Sequence, residues 1–317
     1  MPAAWTRRLE EELLAEQILH CWERAPFYRR KLGEAGIRPE HVQRLEDLRL
    51  LPLTTTQELR ESQAASPPFG DYVCAEPVDV ARAVLGSDEG GQPLLTAYTE
   101  RDAEQSARVG ARALWAAGAR PDDTVLHCLS YGGREGVCEH DALEATGATA
   151  VPLGPRETDR VLELWASLAP TAVLAPPAFA LDLAKAVREQ GLEPGELGLR
   201  LLFVAGGGGS GPVVDLWGAA VGDVYGLPEV WSTVAGGCEE RDGLHFCGQG
   251  STLVELVGPG GDPVEIEPGA EGELVFTHLD REASPLLRYR TGDVVNVVGV
   301  ECDCGRTGFR FRLAEIG

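Results

Sequence analysis

Apolar residues recur along this chain with two different periods. In residues 9–22 they are spaced as on one face of a helix, and a second helical stretch starts with a proline at residue 26. Beyond residue 100, short apolar runs alternate with longer helical patterns. The runs predict strands at 124–128, 149–152, 172–175 and 201–204, with helices at 100–117, 138–146, 158–168 and 178–190. Such alternation is typical of parallel βαβ units.

The pattern changes after Tyr225. Short apolar runs typical of strands follow at 252–257, 272–277 and 294–300, and turns rich in glycine and proline separate them. The sequence therefore predicts an α/β fold, with a helical N-terminal region and a parallel core in residues 1–224. An antiparallel β subdomain is predicted for residues 225–317.

Charge and hydrophobicity exclude several classes of protein. The chain has 28 Lys and Arg residues against 50 Asp and Glu residues, which gives a formal net charge of -22. Such a field repels nucleic-acid phosphates and anionic membrane surfaces. Residues 1–25 are amphipathic and rich in arginine and glutamate, and no apolar run approaches the ~18 residues of a membrane-spanning helix. The sequence predicts a cytoplasmic protein that binds neither nucleic acid nor membrane.

Three short motifs occur in a fixed order and carry chemistry. They read YGLPE at 225–229, YRTGD at 289–293 and CGRT at 304–307. They resemble the YGxxE, YRTGD and CGRT signatures of phenylacetate-CoA ligases, which are adenylate-forming (AMP-binding) enzymes. APFY at 25–28 and LPLT at 51–54 extend the resemblance over nearly the whole chain. It implies an adenylate-forming large domain, followed in that family by a small mobile C-terminal domain.

The resemblance implies roles for residues in these motifs. Asp293 would hold the ribose hydroxyls of AMP, Tyr225 would stack on adenine, and Glu229 would reach the Mg²⁺ that accompanies ATP. The chemistry agrees, because a carboxylate suits a diol or Mg²⁺ and an aromatic face suits a purine. Gly226 and Arg306 complete the implied nucleotide-binding positions, and Glu229 is the implied catalytic carboxylate.

The loop expected to bind phosphates departs from the family pattern. The family reads SSGTTGKP, whereas residues 86–93 read GSDEGGQP, which keeps Ser87 and Gly91 as phosphate-binding positions. Asp88 and Glu89 add negative charge, and glutamine replaces the lysine. A carboxylate ~5 Å from a phosphate charge costs on the order of 3 kcal/mol at an effective dielectric constant of ~20. A solvated acidic turn is therefore favoured over a working phosphate loop.

Two further departures concern a glycine run and the end of the chain. Residues 205–210 read AGGGGS where the family has a Gly-Ala-Glu-Pro run. Gly207 and its neighbours keep a backbone wall that a planar ligand can approach closely, but the run equally fits a flexible loop left by a deletion. The sequence stops at Gly317. We therefore expect the mobile C-terminal domain, with its activating lysine and its CoA-binding surface, to be absent.

The cysteines divide into two groups. Eight cysteines in 317 residues are too few for a disulfide scaffold. Four lie singly within patterned segments, which predicts a packing role for Cys21, Cys74, Cys128 and Cys138. The other four fall in the last quarter of the chain, near a histidine.

This second group predicts a structural zinc site. Cys238, His245, Cys302 and Cys304 offer three thiolates and an imidazole, the ligand set of a tetrahedral zinc, although their spacing is not that of a zinc finger. The resemblance adds support, because some family members carry cysteines and a histidine at these two places. Cys247 is a substitute ligand. Four reduced thiols and a surface histidine are the alternative.

His140 is the remaining candidate for catalysis. It falls where the family has a histidine of the acyl pocket, so it is expected to act as a base or to hydrogen-bond the substrate; a structural role is the alternative. His127, within a predicted strand, is interpreted as a satisfied core residue.

Three functions follow from these features. The first is activation of a small carboxylic acid, expected to be aromatic, as an acyl adenylate with ATP and Mg²⁺. A carrier protein or a separate ligase would complete the transfer. The second is an ATP-independent condensation, cyclisation or hydrolysis of an acyl thioester or adenylate, with Asp88, Glu89 or His140 as acid or base. The third is a non-catalytic partner of a ligase or carrier protein. A homodimer is compatible with each of them.

Overall fold

A computed structural model describes residues 3–86, 94–131, 136–154, 156, 158–205 and 216–314. The helices in this part are α1 (Ala3–Arg24), α2 (Pro26–Glu34), α3 (Thr56–Ala65), α4 (Glu100–Ala116), α5 (Gly136–Ala145), α6 (Thr158–Leu168) and α7 (Pro177–Glu189). The strands are β1 (Arg82–Gly86), β2 (Leu94–Tyr98), β3 (Thr124–His127), β4 (Thr149–Pro152), β5 (Ala172–Ala175), β6 (Leu201–Ala205), β7 (Ala220–Leu227), β8 (Trp231–Gly236), β9 (Leu244–Phe246), β10 (Thr252–Val257), β11 (Pro263–Val264), β12 (Glu271–His278), β13 (Tyr289–Gly299) and β14 (Arg310–Leu313).

The chain divides into two compact units. The first consists of Met1–Ala103, Gly248–Gly299 and Arg312–Gly317, and the second consists of Glu104–Cys247 and Val300–Phe311. The boundary predicted after residue 224 falls inside strand β7 and stays a prediction.

The second unit is built on a mixed sheet. Its strands lie in the order β14-β9-β8-β7-β6-β5-β3-β4. The five strands β4, β3, β5, β6 and β7 pair in parallel, whereas β7 with β8, β8 with β9, and β9 with β14 are antiparallel. The predicted α/β class with parallel βαβ units is thereby confirmed. Helices α5, α6 and α7 connect β3 to β4, β4 to β5 and β5 to β6, as parallel pairing requires.

Successive side chains of the parallel strands point to opposite faces of this sheet, so each face has its own core. On one face, Leu126, Val173 and Leu202 pack with residues of α6 and α7. Trp165 of α6 and Trp217 stack in the same core, at 5.9 Å between ring centroids. The intervening strand residues pack with α4 and α5 on the other face and include Val125, Ala172, Leu174, Leu201 and Phe203. Burial on both faces explains why these strands read as continuous apolar runs rather than as alternating ones.

The first unit contains antiparallel strands in the order β11-β10-β12-β13 and a separate antiparallel pair, β1 and β2. Strand β13 begins at Tyr289, earlier than the strand predicted at 294–300. The polar residues of YRTGD hide this first part of the strand from an apolar pattern. Gly292 lies within it at φ +82°, a conformation that glycine adopts at no steric cost.

The N-terminal helices pack against the segment that precedes β13. Tyr28 donates from Oη to Pro285 O at 3.0 Å and accepts from the Leu287 N–H at 3.2 Å. Thr54 exchanges backbone hydrogen bonds of 2.8 Å with Arg288 and Arg290. The two N-terminal segments that resemble the ligase family therefore support the YRTGD strand. Within the part of the chain that the structure covers, no helix is long and apolar enough to span a membrane.

Candidate functional site

The second unit brings four candidate metal ligands together. Cys238 follows β8, His245 is the central residue of β9, and Cys302 and Cys304 lie in the turn that precedes β14. Their ligand atoms all lie within 4.8 Å of one another. Antiparallel pairing of β9 with β8 and β14 causes this convergence, because it sets Gly236 and Arg310 on either side of His245.

The distances in this cluster suit a tetrahedral ion. Cys238 Sγ lies 3.8 Å from Cys302 Sγ, and Cys304 Sγ lies 3.5 Å from His245 Nε2. Zinc bonds of ~2.3 Å to sulfur and ~2.0 Å to nitrogen give tetrahedral edges of about 3.8 Å between sulfurs and about 3.5 Å between sulfur and nitrogen. Two of the distances among the four ligand atoms thus match these edges, and no pair is farther apart than 4.8 Å.

The surroundings shift the pKa values of the candidate ligands in different directions. Burial lowers the pKa of His245, with help from Arg306 and Arg310, so the imidazole is neutral and its lone pair is available. Burial raises the pKa of Cys238 to about 12. Burial acts to raise the pKa of Cys304 as well, but hydrogen bonds from Arg306 and the neighbouring thiols outweigh it and the pKa is lowered.

Cys247 lies apart from this cluster. Its side chain is buried against Ala113 and Ala116 of α4, and its Sγ donates to His245 O at 3.3 Å. It is not among the grouped ligands, so its substitute role has no support from the geometry.

Arg306, a predicted nucleotide-binding residue, lies beside the metal cluster. Its Nη1 is 3.3 Å from Glu239 Oε2, and its pKa is raised against the effect of burial by Cys304 and Glu239. It also lines an open cavity of about 610 Å³ together with Asp303 and Arg310. A nucleotide-binding role for Arg306 stays a prediction.

The YGLPE motif forms the turn from β7 to β8. The Tyr225 side chain is buried, with only 7% of its surface exposed. Phe311 packs edge-on against its ring at 5.6 Å between centroids. A Cβ on Gly226 would lie 2.1 Å from Ser232 O, so only glycine fits at this position. Glu229 is half-buried in the turn itself.

Asp293 lies on β13 in the first unit and is held by its neighbours in the chain. The buried carboxylate of Glu273 accepts from Arg290 Nε at 2.9 Å and from the Gly292 N–H at 2.9 Å. The Asp293 N–H donates to Thr291 Oγ1 at 3.0 Å. The backbone that carries the Asp293 carboxylate is thereby fixed.

His140 is part of a histidine and tyrosine cluster at the carboxyl ends of β3 and β4. Its ring centroid lies 5.7 Å from that of His127 and 5.6 Å from that of Tyr131, and its Nε2 is 3.3 Å from Glu144 Oε1. Tyr131 borders an open cavity of about 510 Å³ lined also by Pro152, Leu153, Gly154 and Arg156. Ligands of parallel α/β sheets bind at this end of the strands.

His127 lies in the core, as the sequence predicts, but among the described residues its ring is not hydrogen-bonded as that of a satisfied core residue would be. It is fully buried, as a core residue should be, but neither ring nitrogen has a hydrogen-bond partner of normal geometry within the structurally described chain. Burial, followed by the charge of His140, lowers its pKa to about 4. The alternating strand pattern shows that residue 127 is buried, but it carries no signal that the ring is unsatisfied.

The pKa of His127 predicts loss of stability in acid. The unfolded chain binds a proton at His127 near pH 6.5, whereas the folded chain binds it only near pH 4. The contribution of His127 to the free energy of unfolding is therefore present above pH 6.5 and is lost as the pH falls from 6.5 to 4. We expect wild type to lose about 2 to 3 kcal/mol more than His127→Gln between pH 7 and pH 4.5. Urea unfolding at the two pH values measures this difference. An equal loss in both proteins would contradict the prediction, and exposed His41→Gln is the control.

Five predicted residues lie outside the described part of the chain. They are Ser87 and Gly91 of the phosphate loop, together with its acids Asp88 and Glu89, and Gly207 of the glycine run. Their roles stay predictions.

Comparison with known proteins places the fold in a class. A 2-hydroxyisobutyryl-CoA ligase, solved in an open conformation with 2-HIB-AMP and CoA, superposes with a TM-score of 0.88 at 32% identity, over 99% of this chain and 74% of that one. ATP-bound MatB from Rhodopseudomonas palustris shares the fold at 17% identity, with a TM-score of 0.53 over 74% of this chain and 48% of its own. The fold is that of the acyl-CoA ligases of the adenylate-forming superfamily.

Sequence relatives define the family. The phenylacetate-coenzyme A ligase of Thermus thermophilus is 36% identical over 98% of this chain and 70% of its own length. That of Pseudomonas putida is 32% identical over 92% of this chain and 66% of its own length. The chain belongs to the phenylacetate-CoA ligase family, and it spans about two thirds of the length of these relatives. No protein-family profile matches it.

Proposed function

We propose that the protein binds an adenine nucleotide and a small carboxylic acid, and that it activates the acid as an acyl adenylate. The kinship with phenylacetate-CoA ligases supports the reaction type. The observation on which the proposal depends is the set of hydrogen bonds that holds the backbone at Asp293. Glu273 holds the two residues that flank Thr291, and the Asp293 N–H donates to Thr291, so this part of β13 is fixed where it presents the Asp293 carboxylate. A carboxylate held in this way can accept hydrogen bonds from both hydroxyls of a ribose diol.

The cavity beside Tyr131 is our proposed site for the acid. Tyr131, Pro152 and Leu153 supply apolar and aromatic surface, and Arg156 supplies a cation for an anionic ligand. Its volume of about 510 Å³ lies in the range of small-ligand pockets. An aromatic acid would meet a ring edge there, with His140 behind Tyr131 as the acid–base or hydrogen-bonding group.

Asp293→Asn tests the nucleotide site. The change keeps the shape of the side chain but removes the charge that strengthens hydrogen bonds to a diol, which is worth about 1.5 to 3 kcal/mol. We expect AMP to bind at least ~10-fold more weakly in calorimetry. Asp262→Asn, in a turn of the same unit, is the matched control and should bind as wild type does. Equal AMP affinity in wild type and Asp293→Asn would refute the assigned role.

Pyrophosphate exchange with a panel of aryl acids separates the three functions. Exchange that depends on both acid and ATP·Mg²⁺ supports adenylation by this chain. Turnover of a supplied acyl thioester without ATP, lost in His140→Ala, supports an ATP-independent reaction in the same pocket. Absence of both, together with a stable complex with a ligase or carrier protein, supports a non-catalytic partner.

We propose in addition that Cys238, His245, Cys302 and Cys304 hold a structural zinc. Four protein donors leave no open coordination position, so this zinc would join strands rather than take part in the reaction. It would tie the end of β8 and the middle of β9 to the turn before β14. That turn is rich in glycine and charged residues and buries little apolar surface of its own.

A further inference from the structure

The candidate metal ligands of the second unit lie in two pairs. Cys238 Sγ and Cys302 Sγ are 3.8 Å apart, whereas Cys304 Sγ lies 3.5 Å from His245 Nε2. Cys238 follows β8 and Cys302 precedes β14, so the strand order of the sheet brings these two sulfurs together. A disulfide bond is ~2.0 Å long, so the two sulfurs need to approach by about 1.8 Å to form one.

The ligands also differ in how easily a dissolved molecule reaches them. Cys238 and His245 are buried, and Cys302 and Cys304 are half-buried. Of these four described residues, Cys302 is the one that lines the open cavity of about 610 Å³. A small molecule that enters this cavity therefore meets Cys302 first, with Cys238 as the neighbouring sulfur.

The charge of the cavity lining favours an oxidant without negative charge. The lining includes four acidic residues and two arginines. They are Glu240, Asp242, Glu301 and Asp303, with Arg306 and Arg310. The excess of carboxylates repels an anionic oxidant such as oxidised glutathione. Hydrogen peroxide is small and uncharged, so this field does not repel it.

We propose that Cys238 and Cys302 form an oxidation site, at which hydrogen peroxide joins the two sulfurs in a disulfide and releases the metal. Release of the metal rests on the structural zinc proposed above. The disulfide removes two of the four ligands, and Cys304 and His245 alone cannot complete a tetrahedral site. The cluster holds zinc under reducing conditions and loses it under oxidising conditions.

The two steps of the oxidation balance. Sulfur ligands of zinc are thiolates, which are the nucleophilic form of cysteine. The Cys302 thiolate attacks one peroxide oxygen; an S–O bond forms, the O–O bond breaks, and the departing hydroxide takes a proton from solvent to become water. The Cys238 thiolate then attacks Cys302 sulfur; the S–S bond forms, the S–O bond breaks, and the second hydroxide takes a proton from solvent. Two thiolates are oxidised, and one peroxide is reduced to two waters.

Metal release and peptide mapping of the whole protein test the site. The zinc content of the untreated protein is measured first. Hydrogen peroxide is then added while a chromogenic chelator records free zinc, and the thiols are blocked with iodoacetamide before digestion with trypsin without reduction. We expect one zinc released for each cross-link between peptides 201–241 and 291–306, which carry Cys238 and Cys302. Dithiothreitol with added zinc should restore the metal, as an unfolded chain would not.

Three further thiols control the experiment. Peptide 291–306 also carries Cys304, so fragmentation of the cross-linked peptides identifies which sulfur is bonded. Cys247→Ser is the matched control, because Cys247 lies outside the grouped ligands, and this variant should release zinc at the wild-type rate. Cys128 is fully buried and is the internal reference, which should be oxidised at least ~10-fold more slowly than Cys302.

Several results would overturn the proposal. They are zinc release without a cross-link, a cross-link that joins Cys302 to Cys304, and a zinc-loaded protein that keeps its metal while Cys128 is oxidised. Wild type that contains no zinc would instead refute the metal site. In that metal-free protein, the same mapping still decides whether Cys238 and Cys302 join, and absence of their cross-link would overturn the oxidation site as well.

Discussion

Loss of the proposed zinc should be among the most damaging changes that this protein can undergo. We expect the Cys302→Ser/Cys304→Ser variant to lose about 3 to 5 kcal/mol of unfolding free energy, because metal binding contributes directly to folding and the emptied site leaves His245 buried. Metal analysis should find one zinc per wild-type chain and almost none in the variant. Thermal unfolding of both, and of wild type treated with a strong chelator, measures the effect.

Cys247→Ser is the matched control for this experiment. Its thiol is buried 2 residues from His245 in the chain but lies outside the cluster, so the variant should keep its zinc. Cobalt substitution gives an independent readout, since thiolate-to-cobalt charge transfer requires bound sulfur ligands. Wild type that takes up no zinc on refolding with the metal, and that a chelator leaves unchanged, would disprove the site.

Gly226→Ala should have the second large effect. The new methyl group would lie 2.1 Å from Ser232 O and 2.6 Å from Trp231 O. Backbone atoms on a paired strand cannot move aside as a side chain can, so we expect a loss of about 3 kcal/mol or more. The register of β7 and β8 already shifts between Tyr225 and Leu227. Urea unfolding measures the loss directly.

Gly237→Ala is the control, because a Cβ there would meet nothing nearer than Asp223 O at 3.6 Å. This variant should unfold at nearly the wild-type urea concentration. A Gly226→Ala protein as stable as Gly237→Ala would show that the turn relaxes at little cost. The expected result would explain the glycine of the YGLPE motif by close packing of two strands, and Tyr225 would depend on that packing for its position.

The residues proposed for nucleotide binding fall into two groups. Tyr225, Gly226, Asp293 and Arg306 lie among the described residues, and their contacts are given above. Ser87, Gly91 and Gly207 lie outside the described residues. Binding of AMP therefore tests residues whose local contacts are known, and exchange with ATP tests the acidic loop.

The sequence predicts those helices and strands whose apolar residues recur with a local period. The strands predicted at 149–152 and 172–175 match the observed ones, and the helix predicted at 158–168 does so too. Each of these elements buries apolar residues against the layer next to it, so its period is visible within about ten residues. The first part of β13 was missed because its polar residues follow no such period.

The sequence by itself determined the family, the α/β class and the residue types of the candidate metal site, since motifs and periods are local properties. Only the tertiary structure decided which distant residues meet. It placed His127 against His140 and separated Cys247 from the three cysteines of the candidate metal cluster. Such contacts depend on how strands pair and on which backbone groups anchor a loop, and no short segment of sequence encodes either.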